Sequence, residues 1–275
     1  MIIGIIGLGF VGNAMQESFT LKGVQDIKVY DKFKNGGIGK LEDCLSCNIL
    51  FLALPTIYDE SSGCYDREPI IETCNYLIHN NFNGAVVVKS TIEPETLNEL
   101  AIEFNTLHFI HNPEFLTAIN AFDDFHNQSH IVLGQGTNCS DKNLNNVISF
   151  YKKYYQNADI STCSTIESES MKSFVNCFYA VKVQFFTEIY LLCQKNNCDF
   201  NKVRKMMLKN DWIHPNHTQI PGPDGDISYG GLCFPKDTNA LTKYMERKNS
   251  PNQVLNATIK ERNSMRSDNL NCSKK

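Results

Sequence analysis

The chain has 275 residues, of which 42% are hydrophobic and 20% charged, with a formal net charge of −4 and a pI near 6.0. That balance excludes a general electrostatic drive toward nucleic acid or an anionic membrane, and the length suffices for one large or two ordinary domains. The apolar opening at 2–6 is far too short to span a bilayer. The eleven cysteines are scattered, which fits reduced thiols in a cytoplasmic compartment better than a disulfide framework. A lone C-L-S-C at Cys44 and Cys47 has no second pair to complete a tetrahedral site, so no metal is expected.

Residues 1–12 read MIIGIIGLGFVG. A short apolar run enters Gly7-Leu8-Gly9-Phe10-Val11-Gly12, a helical pattern follows over 13–21, and 27–31 reads as a second strand ending in Asp31. This G-x-G-x-x-G lies between a strand and a helix, about 20 residues ahead of an acid, as a dinucleotide-binding fingerprint requires. Gly7 allows the tight turn, Gly9 lets backbone approach a pyrophosphate, and Gly12 lets the helix pack closely on the strand. The phosphates would sit on the free N–H groups of the helix start, where Phe10 and Val11 lie. Asp31 would bond a ribose hydroxyl and repel a 2′-phosphate, which favours NAD over NADP. Lys32 and Lys34 read as a solvated loop.

The alternation continues with strands at 48–54, 85–89, 107–111 and 130–133, and with helices over 68–79, from near Pro94, and over 141–155. The expected fold is α/β: a Rossmann-type doubly wound parallel sheet, followed by a mainly helical domain with one long helix. Thr56, Thr91 and Glu114 stand at the carboxyl ends of strands, which line the ligand crevice of such a sheet. Each can instead cap the following helix. Ser164-Thr165-Ile166-Glu167 has capping-box spacing and opens a helix over 168–195, about 40 Å long. It is apolar on several faces, which calls for burial on more than one side. The expected division is a NAD-binding domain at 1–163, a helical domain at 164–265 packing against a second copy, and a polar tail at 266–275. Lys172 and Asn176 share one helix face.

A shorter helix over 201–209 and a long loop rich in Pro and Gly lead into Gly230-Gly231-Leu232-Cys233-Phe234-Pro235-Lys236-Asp237, with a helix starting near Asp237. Two glycines let backbone come close to a ligand, and a nearby cation raises a cysteine's thiolate fraction. The alternative is that Cys233 is one more small buried hydrophobe.

These pieces now fall in a recognisable order: the glycine fingerprint, Asp31, Leu54-Pro55-Thr56, Ser90-Thr91, Asn112-Pro113-Glu114-Phe115-Leu116, Lys172 with Asn176, and GGLCFPKDTNAL at 230–241. The chain resembles the UDP-glucose 6-dehydrogenase family, the UDP-glucose/GDP-mannose dehydrogenases. The long helix predicts a homodimer, and the resemblance implies NAD-dependent oxidation of the primary alcohol of a nucleotide sugar to a carboxylate, as in UDP-glucuronate formation. It implies Cys233 as the nucleophile, holding first a thiohemiacetal and then a thioester. Lys172 and Asn176 would donate to the developing oxyanion, Glu114 and Asp237 would manage a water and its proton, and Lys236 would serve the cofactor and the thiolate. Phe115, Leu116, Gly230 and Gly231, with Lys172 and Asn176, would contact the sugar.

Two departures stand out. Thr117-Ala118-Ile119 occupies the place where the family carries a second glutamate and a glycine, and the chain ends soon after the helical region, where family members carry a third domain. Two alternatives stay open. One is a single-step 3-hydroxyacid or 6-phosphogluconate type of dehydrogenase, which shares the Rossmann-plus-helical plan and the Lys-x-x-x-Asn pair. The other is a non-catalytic NAD-binding relative serving as an interaction module. Cys233 in its setting weighs against the first, and the joint presence of Cys233, Lys172, Asn176, Glu114 and Asp237 against the second.

Overall fold

The computed structural model describes residues 1–117 and 119–268. Ala118, the site of the absent glutamate, and 269–275, most of the expected tail, lie outside the described residues. The elements in chain order are β1 (Ile3–Ile6), α1 (Phe10–Leu21), β2 (Ile27–Tyr30), β3 (Ile49–Leu52), β4 (Tyr58–Asp59), β5 (Cys64–Tyr65), α2 (Glu68–His79), β6 (Ala85–Val88), α3 (Thr96–Glu103) and β7 (His108–His111). They continue with α4 (Ala121–His126), β8 (His130–Gln135), α5 (Asp141–Tyr154), β9 (Asp159–Ser164), α6 (Thr165–Lys195), α7 (Phe200–Met207), α8 (Phe234–Arg247) and α9 (Gln253–Met265). Two compact units result: Met1–Thr56 with Asp66–Lys172, and Ile57–Tyr65 with the chain from Ser173 onward.

The first unit holds a seven-stranded sheet in the order β2-β1-β3-β6-β7-β8-β9. Strands β1, β3 and β6 are buried at every position, as continuous apolar runs inside a parallel sheet should be. Alternate residues face opposite sides. Ile49, Phe51, Ala85 and Val87 pack with Phe19 and Tyr151, while Leu50, Leu52, Val86 and Val88 pack with Ile70, Leu77 and Leu97. Helices therefore cover both faces, and the Rossmann-type expectation is borne out. One pair departs from the parallel rule: β7 and β8 run antiparallel, with His111 opposite Gly134. Strand β9 was not legible from the sequence because it is a largely exposed edge strand, Asp-Ile-Ser-Thr-Cys-Ser, with little apolar alternation.

In the second unit, the hairpin β4–β5 pairs Tyr58 with Tyr65. The unit boundary falls within α6, whose start is closed by the expected capping box: Ser164 N–H and Oγ donate to Glu167 Oε2 at 2.8 and 2.7 Å. Beyond it, Arg266 and Asp268 are not a loose tail. Arg266 donates to Asp224, Asp268 and the Ile227 carbonyl, and Arg262 to Asp268.

Helix α3 begins after Glu95, which sits at φ 78° and gives no side-chain cap. The cap comes instead from Glu169 on α6, fully buried, whose carboxylate accepts the N–H groups of Glu95 and Leu97 at 2.7 and 2.9 Å. Burial pushes the Glu169 carboxyl up to about 8, against the pull of those two N–H groups. A folded-state value above the unfolded one means that folding takes up a proton, so this contribution is full below about pH 4.5 and is lost as pH rises toward about 8. Thermal unfolding followed at a series of pH values should show wild-type stability declining across that window, and this component should be absent in Glu169→Gln. Glu169→Ala, which orphans two N–H groups, should cost about 1–3 kcal/mol.

Candidate active site

The glycine loop is built as a dinucleotide requires. Gly7 sits at φ +91°, and a Cβ there would lie 2.4 Å from the Ala53 carbonyl oxygen. A Cβ on Gly12 would lie 1.8 Å from the Gly7 oxygen, whereas one on Gly9 meets no described atom within 4 Å. Gly9 is the N-cap of α1, which has no side-chain cap and no acid in its first turn. Its first N–H groups, at Phe10 and Val11, are thus suited to a pyrophosphate, and the residues present fit NAD.

Asp31 is anchored by backbone: Oδ2 accepts Leu8 N–H at 2.7 Å, and Oδ1 accepts Phe33 and Lys34 N–H at 2.9 and 2.8 Å. Burial works to raise its pKa, but these N–H groups, with Lys34 nearby, hold it below the usual carboxylate value. Lys32 pairs with Glu72 at the surface, as a solvated lysine would. Lys34 does not behave that way. Its ammonium donates to the Leu8 carbonyl at 2.7 Å and to Asn13 Oδ1 at 2.8 Å, which ties it to the glycine loop. Its place three residues after Asp31 was the only sequence signal for this.

Thr56 Oγ1 donates to the Thr91 carbonyl at 2.7 Å, so the tips following β3 and β6 are joined. Thr91 does not cap a helix, because α3 starts only at Thr96.

After β7 the chain turns at Asn112-Pro113-Glu114. Glu114 Oε1 accepts Phe115 N–H at 2.9 Å, and Oε2 lies 3.0 Å from the buried ammonium of Lys89. Lys89 also donates to Asn112 Oδ1 at 3.1 Å, which accepts the Tyr151 hydroxyl as well. Lys172 donates to the main-chain oxygen of Glu114 at 2.5 Å and lies over the Phe115 ring. His111 Nδ1 is 2.8 Å from Ser168 Oγ. Burial, helped by Lys89 and Lys172, pushes His111 down to about 3, so its ring is neutral. The structure thus gathers Glu114, Phe115 and Lys172, with Leu116 packed at the edge of the nearby core. Lys89, His111 and Tyr151 escaped the sequence reading, and Asn112 entered it only as part of the Asn112–Leu116 run. The available signal was a lysine directly behind four apolar residues.

In the second unit, Cys233 is the N-cap of α8 and is exposed, which removes the buried-hydrophobe alternative. By contrast, burial pushes the thiols of Cys44 and Cys74 up to about 11 and about 12. Gly231 adopts φ +79°, and a Cβ on Gly230 would lie 2.4 Å from the Arg266 guanidinium. One turn into α8, Asp237 is 1% exposed and fully engaged. Its Oδ1 accepts Tyr65 OH at 2.5 Å and Lys236 Nζ at 2.6 Å, and its Oδ2 accepts Asn176 Nδ2 at 2.6 Å. Burial works to raise the Asp237 pKa, but Lys236, Tyr65 and Asn176 together hold it below the usual value. The Lys236 ammonium also stacks 4.5 Å over the Tyr65 ring. Asn176, Lys236 and Asp237 are brought together in this unit. Tyr65 was missed because its strand is two residues long.

Among the described residues, no group of His, Cys, Asp and Glu side chains could hold a metal ion, and no helix is long and apolar enough to cross a membrane.

Residues 38–157 match the NAD binding domain of the UDP-glucose/GDP-mannose dehydrogenase family, and residues 166–264 match its central domain. A UDP-glucose 6-dehydrogenase of Campylobacter jejuni is 26% identical over 94% of this chain and 71% of its own length. One from Rickettsia bellii is 28% identical over 83% of this chain, which spans only 53% of that relative. The solved UDP-glucose dehydrogenase of Pyrobaculum islandicum has the same fold, with a TM-score of 0.79 at 22% identity, covering 95% of this chain and 68% of that one. The matched NAD binding domain bears out NAD as the cofactor. With both domain models matched in order, the chain belongs to the UDP-glucose/GDP-mannose dehydrogenase family.

Proposed function

We propose that this chain oxidises the primary alcohol of a nucleotide sugar, UDP-glucose or a close analogue, to a carboxylate in two NAD-dependent steps. The observation that carries this reading is the exposed Cys233 at the start of α8, one turn ahead of a buried Asp237 that gathers Asn176, Lys236 and Tyr65. A single-step hydroxyacid dehydrogenase needs no thiol at that place.

NAD, when bound, supplies the hydride acceptor. The alcohol carbon gives up one hydride and its hydroxyl a proton, which leaves an aldehyde. Cys233 Sγ adds to the aldehyde carbon as a thiolate and the oxygen takes a proton, giving a thiohemiacetal. Loss of a second hydride and a proton gives a thioester. Water then adds, the carbon–sulfur bond breaks, and the carboxylate leaves with the thiolate restored. In sum, alcohol and water become a carboxylate, two hydrides and three protons.

The amide of Asn176, oriented by Asp237, and the ammonium of Lys172 would donate to the oxygen as negative charge develops. Glu114 and Asp237 would receive and return the protons of the water. An anionic sulfur at Cys233 would face the positive end of α8.

The same reading includes a homodimer. Phe174, Phe178, Phe185 and Leu192 on α6 are 54%, 63%, 52% and 55% exposed. At 100° per residue these four and Val181 fall within about 60° of arc. An exposed apolar stripe of this kind marks an interaction surface, and a second copy of α6 is its proposed partner.

Three outcomes are expected. With NAD and UDP-glucose, absorbance should report two NADH per sugar, and Cys233→Ser should slow full oxidation by roughly a hundredfold or more and stop at the aldehyde. No NADH from any UDP- or GDP-sugar, with NAD still binding in a thermal-shift assay, would favour the interaction-module reading. Tyr65→Phe should lower kcat by roughly tenfold through a less fixed Asp237 and cost about 1–3 kcal/mol of stability, read by kinetics and thermal unfolding. In sedimentation velocity the wild type should run as a dimer and Phe178→Glu as a monomer.

A further inference from the structure

Lys89 directly follows the four buried residues of β6 and is itself 3% exposed. Burying an ammonium there costs several kcal/mol unless its charge is paired. The pairing is supplied by Glu114 Oε2 at 3.0 Å and Asn112 Oδ1 at 3.1 Å, with the Phe125 ring centroid 5.5 Å away.

Other titratable groups of this unit lie near the Lys89–Glu114 pair. From β7 comes His111, neutral for the reasons given. From the end of α5 come Tyr151 and Tyr155, whose hydroxyls burial pushes well up, so they too are neutral. From α6 comes Lys172, bonded to the main-chain oxygen of Glu114.

The Glu114 carboxylate is thus held at both ends, by Lys89 on Oε2 and by Phe115 N–H on Oε1. That two-point hold fixes the peptide between Glu114 and Phe115, and the carbonyl of the same peptide receives Lys172.

We propose that Lys89 is a positioning residue for the reaction: its ammonium anchors the Glu114 carboxylate and, through the Glu114–Phe115 peptide, sets the direction of the Lys172 ammonium. The proposal rests on the reading above, in which Glu114 and Lys172 take part in the oxidation. Lys89 needs no contact with substrate or cofactor to act this way.

The test compares wild type, Lys89→Met, Glu114→Gln, the double variant and Lys89→Arg, with kcat, KM for NAD and Tm measured on each. Lys89→Met should lower kcat by roughly tenfold or more, the scale of a misplaced catalytic group, with KM for NAD within about twofold. It should add no further loss in the Glu114→Gln background, and Lys89→Arg should restore part of the rate. The Tm loss of the double variant should be smaller than the sum of the two single losses, because removing both partners leaves no unpaired buried charge.

If Lys89→Met costs the same factor in both backgrounds, Lys89 does not act through Glu114 and the proposal falls while Glu114 keeps its role. If Glu114→Gln turns over at the wild-type rate, the role of Glu114 falls and takes the proposal with it. A wild-type chain that oxidises no sugar overturns the functional reading and the positioning role together. Strictly additive Tm losses would overturn the ion-pair anchor irrespective of turnover.

Discussion

Buried polar groups must be paired, and in this protein one helix makes several of those pairings. Helix α6 buries eight of its polar side chains and exposes three of its four phenylalanines, unlike an ordinary amphipathic helix. Each buried group then has to find a partner, and each partner is a part of the site or of its support. Glu169 holds the start of α3, Lys172 the turn after β7, Asn176 the carboxylate of Asp237, and Gln184 the hydroxyl of Ser228. Within each unit these positions lie one or two turns apart, so in each the helix acts as a ruler along which that unit's own loops are fixed.

Two carboxylates near this ruler meet the cost of burial differently. Asp237 collects three side-chain donors: a phenol, an ammonium and an amide. Glu114 relies on one buried ammonium and one peptide N–H. The first arrangement leaves a rigid acceptor with little freedom to turn. The second ties a side chain to the backbone beside it, so an electrostatic contact also sets a peptide plane.

Local patterns were legible in the sequence and distant pairings were not. The glycine fingerprint, the buried runs of β1, β3 and β6, the limits of α2 and the capping box at Ser164 all follow from neighbours a few residues apart. The phenol on Asp237 comes from 172 residues away, in a strand too short to show a period. Of the α6 phenylalanines, Phe186 is buried within the chain whereas Phe174, Phe178 and Phe185 are exposed on it, a division that residue type alone does not show. Lys34 looked like one more loop lysine until its ammonium was found on the glycine loop. Strand β9 and helix α4 are short or polar elements whose existence depends on the sheet edge and on packing against α1.

The hairpin of β4 and β5 has a topological consequence. Its residues leave the first unit after Thr56 and return at Asp66, while α6 makes the final passage after Lys172. The polypeptide therefore passes between the units three times rather than once, and no single cut separates them cleanly. A gene fusion or exchange made at the long helix would carry Tyr65 away with the nucleotide-binding half and leave Asp237 with the other. The two halves of this chain are thus bound to be inherited together, through a tie that a simple domain boundary would not reveal.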